Sequence, residues 1–182
     1  MVEDDESRLI EEIRAGSDTA FREVLDHHGP SISNYVRRMI NRHVDAEDIV
    51  QDTFLRFWST RDRYDASRSK LTTWLHRIAH NLCIDSIRRR HFDDAAENDL
   101  EDTRRGPAEA YALTEQADRV QRALSELSER QRSAIVLCHY QQFSNKQAAK
   151  ILDLSVDALE SLLRRGREKL KQFLSEDRKS VV

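Results

Sequence analysis

Arg164, Arg165, Arg167, Lys169 and Lys171 crowd into one short stretch near the end of the chain. Cations at that density suit the phosphates of a nucleic acid. A second basic group lies upstream, with Arg77, His80 and Asn81 followed by Arg88, Arg89 and Arg90. Arg and Asn add a further capacity, because their side chains make paired hydrogen bonds to base edges. A third group, Arg61, Arg63, Tyr64, Arg68 and Lys70, interleaves cations with an aromatic ring. That combination suits single-stranded DNA, whose unpaired bases stack on rings. Each group also reads as a charged, solvated surface. His76, His80 and Cys83 fall at i, i+4 and i+7 of one helical pattern, a spacing that could touch a metal. Three ligands on one helix close no tetrahedral site, so no metal is expected. No catalytic carboxylate pair, Gly-rich phosphate loop or nucleophile constellation is present, so no enzyme, cofactor or small-molecule substrate is expected.

The elements that must position these residues are helical. Ser17 is suited to cap a first helix with Phe21, Val24 and Leu25 inside, and Gly29-Pro30 is expected to stop it. Ile32, Tyr35, Val36, Met39 and Ile40 then repeat as one buried stripe. Asp45 is placed to cap a third helix carrying Ile49, Val50, Phe54, Phe57 and Trp58, with Glu47, Asp48, Gln51 and Asp52 in its first turns. Ser59–Ser69 is polar and aperiodic and reads as a loop. A long helix is expected over about Lys70–Arg90, with Leu71, Trp74, Leu75, Ile78 and Leu82 as its inner stripe. Further on, Ser128 with Gln131 and Ser144 with Gln147 have the spacing of two capping boxes. Asp153-Leu154-Ser155 is a short turn, and Ser155 can cap a last helix reaching about Leu174. Two short helices, a tight turn and a basic second helix fit a helix-turn-helix.

Composition sets the frame for these elements. Only 4 glycines and 2 prolines leave little material for hairpins. Apolar residues at 38% against 35% charged suit small helical units with wide solvated faces better than one large core. The net charge of −3 hides a segregation of sign, for Asp93–Asp102 holds six acids and no base. The expected architecture is all-α, with two small helical domains joined by an acidic flexible linker and the helix-turn-helix in the second. The expected boundaries are a tail over 1–16, a first domain over 17–92, the linker over 93–107, a second domain over 108–176 and a tail over 177–182. Cys83 and Cys138 form no CxxC pair and read as reduced thiols. No apolar run approaches a membrane span, so no direct membrane insertion is expected and the location expected is cytoplasmic.

Three segments, taken in order, carry a family resemblance. Residues 46–58, AEDIVQDTFLRFW, resemble the polymerase-binding helix of sigma factor region 2. Residues 73–81, TWLHRIAHN, resemble the −10-recognition helix of extracytoplasmic-function (ECF) sigma factors. Residues 124–132, LSELSERQR, with the helix-turn-helix that follows, resemble region 4. The stretch between the two domains is too short for the extra domain of larger sigma factors, which selects the ECF type.

The resemblance implies a protein that binds core RNA polymerase, directs it to promoter DNA and opens the duplex there, held in check by an anti-sigma factor. It implies that Asp48, Gln51 and Asp52 face the polymerase, as acceptors suited to a basic partner. It implies −10 contacts for Arg77 and Asn81, with His80 and Lys70 beside them and Arg88, Arg89 and Arg90 on phosphates. The loop over 62–70 would hold an unpaired base. Region 4 would read the −35 element through Arg164, Arg165 and Arg167, with Ser161 as a lesser contact. Trp74 matches a DNA-propping position, and its spacing also places it in the core stripe. The chain departs from the family where basic residues are frequent, having Glu160 and Leu162 instead. Glu160 cannot pair with phosphate but could accept from a cytosine amino group. A helix-turn-helix regulator acting without polymerase would use only the second half, and an RNA-binding or protein-binding adaptor would explain the basic groups less well.

Overall fold

The structure is a computed structural model that describes residues 3–40, 43–96 and 115–177. Among these residues there is helix and no strand. Residues expected as an N-terminal tail form α1, Glu3–Arg14. Leu9, Ile10 and Ile13 are its buried face, and they pack it onto the next helix, α2 (Asp18–Met39). The acidic residues around them conceal this stripe in a composition reading, but the spacing i, i+1, i+4 is helical. Glu6 on α1 then reaches across the fold. Its carboxylate accepts from the backbone N–H of Leu71 at 2.6 Å and from the Tyr64 hydroxyl at 2.8 Å. It therefore caps the first turn of α4 from a distance, where a negative charge meets the positive end of the helix.

Ser17 caps α2, Asp18–Met39, accepting from the Ala20 N–H at 3.2 Å. The helix does not stop at Gly29-Pro30 but runs through it. Proline costs a helix interior about 3 kcal/mol or more through one lost bond and a ring clash. Pro30 is exposed, so water can serve the orphaned carbonyl, while Val24, Ile32, Tyr35 and Val36 anchor the helix on both sides. Leu25 differs too, lying outside the core at 39% exposure. Helix α3, His43–Thr60, begins before Asp45, which sits in its first turn and pairs with Arg90. A single 3₁₀ turn, Arg61–Arg63, follows, and Leu71–Ala96 forms α4. Residues 93–96, expected to open the linker, continue that helix, whereas 97–107 lie outside the described residues.

The second half holds α5 (Glu115–Ser125), α6 (Glu129–Ile135), a π-helical turn (Val136–Tyr140), α7 (Asn145–Leu152) and α8 (Val156–Asp177). Both expected capping boxes are formed, at Ser128/Gln131 and at Ser144/Gln147. Asp153 ends α7 with φ 55°, a left-handed cap that a short polar side chain tolerates. Helix α8 crosses α6 closely at Gly166, where an added Cβ would stand 3.1 Å from the Ile135 side chain.

The two halves pack together. Helix α7 lies on α4, and the π-helical turn lies on α2. Ser31 donates to Gln141 Oε1 at 2.7 Å, and Gln141 Nε2 returns a bond to the Ser31 carbonyl at 3.2 Å. The Arg132 guanidinium donates to the Met39 carbonyl of the first half and to the Leu124 and Ser125 carbonyls of its own. The His76 ring meets Phe143 edge to face at 4.7 Å between centroids.

Candidate nucleic-acid interface

Helix α4 divides its residues by periodicity. Leu71, Leu75, Ile78, Ala79 and Cys83 are buried, while Arg77, Asn81, Arg88 and Arg89 are exposed on the other face. Arg77 and Asn81 are one turn apart and share that face. His80 is placed otherwise. The Tyr35 hydroxyl lies 2.9 Å from its Nδ1, and burial lowers the imidazole pKa to about 4. Burial also raises the Tyr35 phenol, so the tyrosine donates and a neutral histidine accepts. His80 thus ties α4 to the core and offers no cation to a phosphate. Arg90 is likewise engaged by Asp45. Lys70 is exposed at the start of α4.

His76 is 1% exposed. Its Nδ1 donates to the Thr72 carbonyl at 2.8 Å, and burial lowers its pKa to about 4 despite that bond. Cys83 is fully buried, with its thiol pushed up to about 12. Among the described residues no group of three or more His, Cys, Asp or Glu could hold a metal. Trp74 is half-buried, meets Tyr64 edge to face, and buries an indole N–H with no hydrogen-bond partner among the described residues. Its packing is that of the core stripe.

The loop before α4 is shaped by local bonds. Asp65 accepts from the Ser67 backbone and hydroxyl at 2.9 and 2.7 Å, which closes an Asx turn and lowers the Asp65 pKa. Arg63 and Arg68 are exposed. Tyr64, read from sequence as a ring for stacked bases, is only 2% exposed. Its ring is core, and its carbonyl takes a 2.5 Å bond from Arg14. Local pattern does not show this burial, because the wall it packs on is α1, at least 50 positions away in sequence.

Helix α8 exposes Arg164, Arg165 and Arg167 and half-buries Ser161. Arg164 pairs with Glu168 at 3.3 Å, and Arg167 Nε bonds the Leu163 carbonyl at 3.2 Å. A concavity of about 730 Å³ opens between the start of α7 and this face, lined by Asn145, Asp157, Glu160, Ser161, Arg164 and Arg167 among others.

A second concavity, about 620 Å³, lies between α2 and α3. Asp48 and Gln51 line it, with the apolar Phe21, Leu25, Val50, Phe54 and Leu55. Leu55 is 58% exposed. Asp52 is exposed on the same helix but does not line the groove. Leu25, expected inside its helix, and Leu55, which the periodicity leaves unassigned, are instead an exposed apolar pair. Its signal was Leu55 standing off the stripe set by Ile49, Phe54 and Phe57.

Family comparison decides what two such helical halves are. The model for Sigma-70 region 2 matches residues 24–92, and that for Sigma-70 region 4 matches 117–170. The chain is 33% identical to CnrH of Cupriavidus metallidurans, an RNA polymerase sigma factor, over 96% of this chain and 97% of that one. It is 33% identical to the ECF sigma factor SigM of Mycobacterium tuberculosis, over 88% and 80%. The chain belongs to the sigma-70 family, as an ECF sigma factor. The ECF sigma factor SigW of Bacillus subtilis shares 29% identity over 92% of this chain and 95% of its own. The solved complex of CnrH with the cytosolic domain of CnrY matches at a TM-score of 0.74 and 28% identity, covering 95% of this chain and 99% of that one. As a sigma factor the chain binds core RNA polymerase and promoter DNA and initiates transcription, and it is not an enzyme. No described helix is long and apolar enough to cross a membrane.

Proposed function

We propose that the α2–α3 groove of this sigma factor is its docking site for core polymerase. The observation that carries this is the joining of exposed Leu25 and Leu55 to the acceptors Asp48 and Gln51 in one concavity. Apolar area drives association, and the acids select a basic helical partner. Asp52 extends the acidic face beyond the groove. Arg77 and Asn81, with Lys70 at the start of the helix, contact the −10 element, Arg88 and Arg89 its phosphates, and α8 reads the −35 element through Arg164, Arg165, Arg167 and Ser161. His80 and Arg90 support α4 from behind. The working domains are 17–92, extended by α1 and by the end of α4 to residue 96, and 108–176, with 97–107 as the connection.

The same reading includes an anti-sigma partner. CnrH is solved with CnrY, and RpoE of Bartonella quintana with the anti-sigma factor NepR. It also places the chain in the cytoplasm, where polymerase and promoter DNA are met. The test is titration of labelled sigma factor onto core polymerase. Asp48→Lys with Leu55→Asp should weaken the complex at least tenfold, with far-ultraviolet circular dichroism unchanged. Core affinity equal to the parent's would overturn the groove assignment.

A further inference from the structure

Glu160 stands among the cations of α8. It is exposed on the face that carries Ser161 and Arg164. A glutamate four residues before an arginine on a helix ordinarily pairs with it. Here Arg164 turns the other way, to Glu168 at 3.3 Å. Glu160 instead takes a hydrogen bond from Asn145 Nδ2 at 3.1 Å. Asn145 is the first residue of α7, and the Ser144/Gln147 capping box holds the backbone there. Its amide is oriented from its other end as well, since the Cys138 thiol donates to Asn145 Oδ1 at 3.9 Å. Burial raises the Cys138 pKa, which keeps the proton on sulfur. A carboxylate on a recognition helix repels phosphate, so it weakens binding unless it meets a donor on a base. One oxygen of Glu160 is occupied by Asn145. The other has no hydrogen-bond partner among the described residues.

We propose that Glu160 is a specificity-determining residue of the −35 interface, accepting from the exocyclic amino group of one cytosine, and that Asn145 is the residue that positions it. Carboxylate to cytosine N4 is the pairing that major-groove geometry offers an acid. Asn145 bridges the two helices of the motif, so it fixes the side-chain rotamer before DNA arrives and lowers the entropy lost on contact. The proposal rests on α8 being the −35 reader, and the experiment separates the two.

Holoenzyme reconstituted on core polymerase is used to select duplexes randomised across the −35 window, and the affinities of single-base variants are then measured at several salt concentrations. The parent should select cytosine at one position, discriminating about tenfold. Glu160→Gln should move that preference to adenine, which glutamine pairs with. Glu160→Ala should flatten the position, keep the others and raise affinity for unrelated duplex. Asn145→Asp cannot donate and repels Glu160, yet an acid at the first turn favours α7. It should therefore flatten the same position without lowering the melting temperature, and combined with Glu160→Ala it should add nothing. If the Glu160 variants select the parent's sequence while Arg165→Ala loses affinity and salt dependence, the −35 assignment stands and the role of Glu160 is overturned. If Asn145→Asp alone selects as the parent does, its positioning role is overturned. If no −35 sequence is selected and Arg165→Ala binds normally, the −35 assignment itself falls, and this proposal with it.

Discussion

At the scale of residues, the histidines differ most from a sequence reading. His28, His76 and His80 all carry pKa values lowered to about 4, with desolvation as the largest cause in each. The unfolded value is 6.5. A lowered histidine pKa means that the unfolded chain binds protons first as pH falls. Stability is then undiminished above about pH 6.5 and is lost as pH falls from there toward 4. Each histidine should cost on the order of 1 kcal/mol between pH 7.5 and 5.5. Urea denaturation at those two values checks this. His76→Gln should remove about a third of the difference, and a pH-independent midpoint would show that the rings are not buried as described. The spacing of His76, His80 and Cys83 was legible in sequence. Their inward orientation was not, because i, i+4, i+7 spacing defines a face without saying which face meets a neighbour.

At the scale of elements, the expected Asp45 cap is not formed, but the two capping boxes and the helix-turn-helix are legible, since Ser with Gln three residues on is a local device that forms where it is written. Helix α1 is not, because charged neighbours outnumber its three apolar residues. It contributes Leu9 and Ile13 to the core and Glu6 to the start of α4. Leu9→Ala should therefore destabilise the first half by about 2–5 kcal/mol, the range for emptying a packed leucine site. Thermal or urea unfolding reads this directly. An unchanged midpoint would return residues 3–14 to the status of a tail. The passage of α2 through Pro30 has the same origin, as tertiary packing outweighs a local penalty.

At the scale of the molecule, the packing of the two halves conflicts with the proposed division of labour, in which α4 holds the −10 element and α8 the −35 element. Elements named for positions −10 and −35 are about 25 base pairs apart, close to 85 Å of B-DNA. A compact chain of 182 residues spans only about 40 Å. On that proposal the contacts Ser31–Gln141 and Arg132–Met39 break before both elements are held. Dyes placed by unnatural amino acids at the exposed positions Glu23 and Lys171 would report the separation by energy transfer. Transfer should fall when the sigma factor joins core polymerase and promoter. Ser31→Ala with Gln141→Ala removes both bonds and should shift the free protein partway, by about thirtyfold in population, given roughly 1 kcal/mol per hydrogen bond. Equal transfer in free protein and promoter complex would show that the halves stay packed.

Local pattern is enough to show that the chain is helical, where most helices begin, which residues are basic and, through three ordered motifs, the family. These are local properties, written in 3.6-residue periodicity, caps and short motifs. Tertiary structure decided the rest: Tyr64 and His80 face the core, Arg90 is engaged by Asp45, Leu25 and Leu55 meet in one groove, and Glu160 bonds Asn145 rather than Arg164. Each of these depends on which helix lies beside which, and on contacts between residues from 15 to 58 positions apart. Local pattern carries no information about such pairs, because any solvated face and any unpartnered apolar residue look alike until the neighbouring helix is in place.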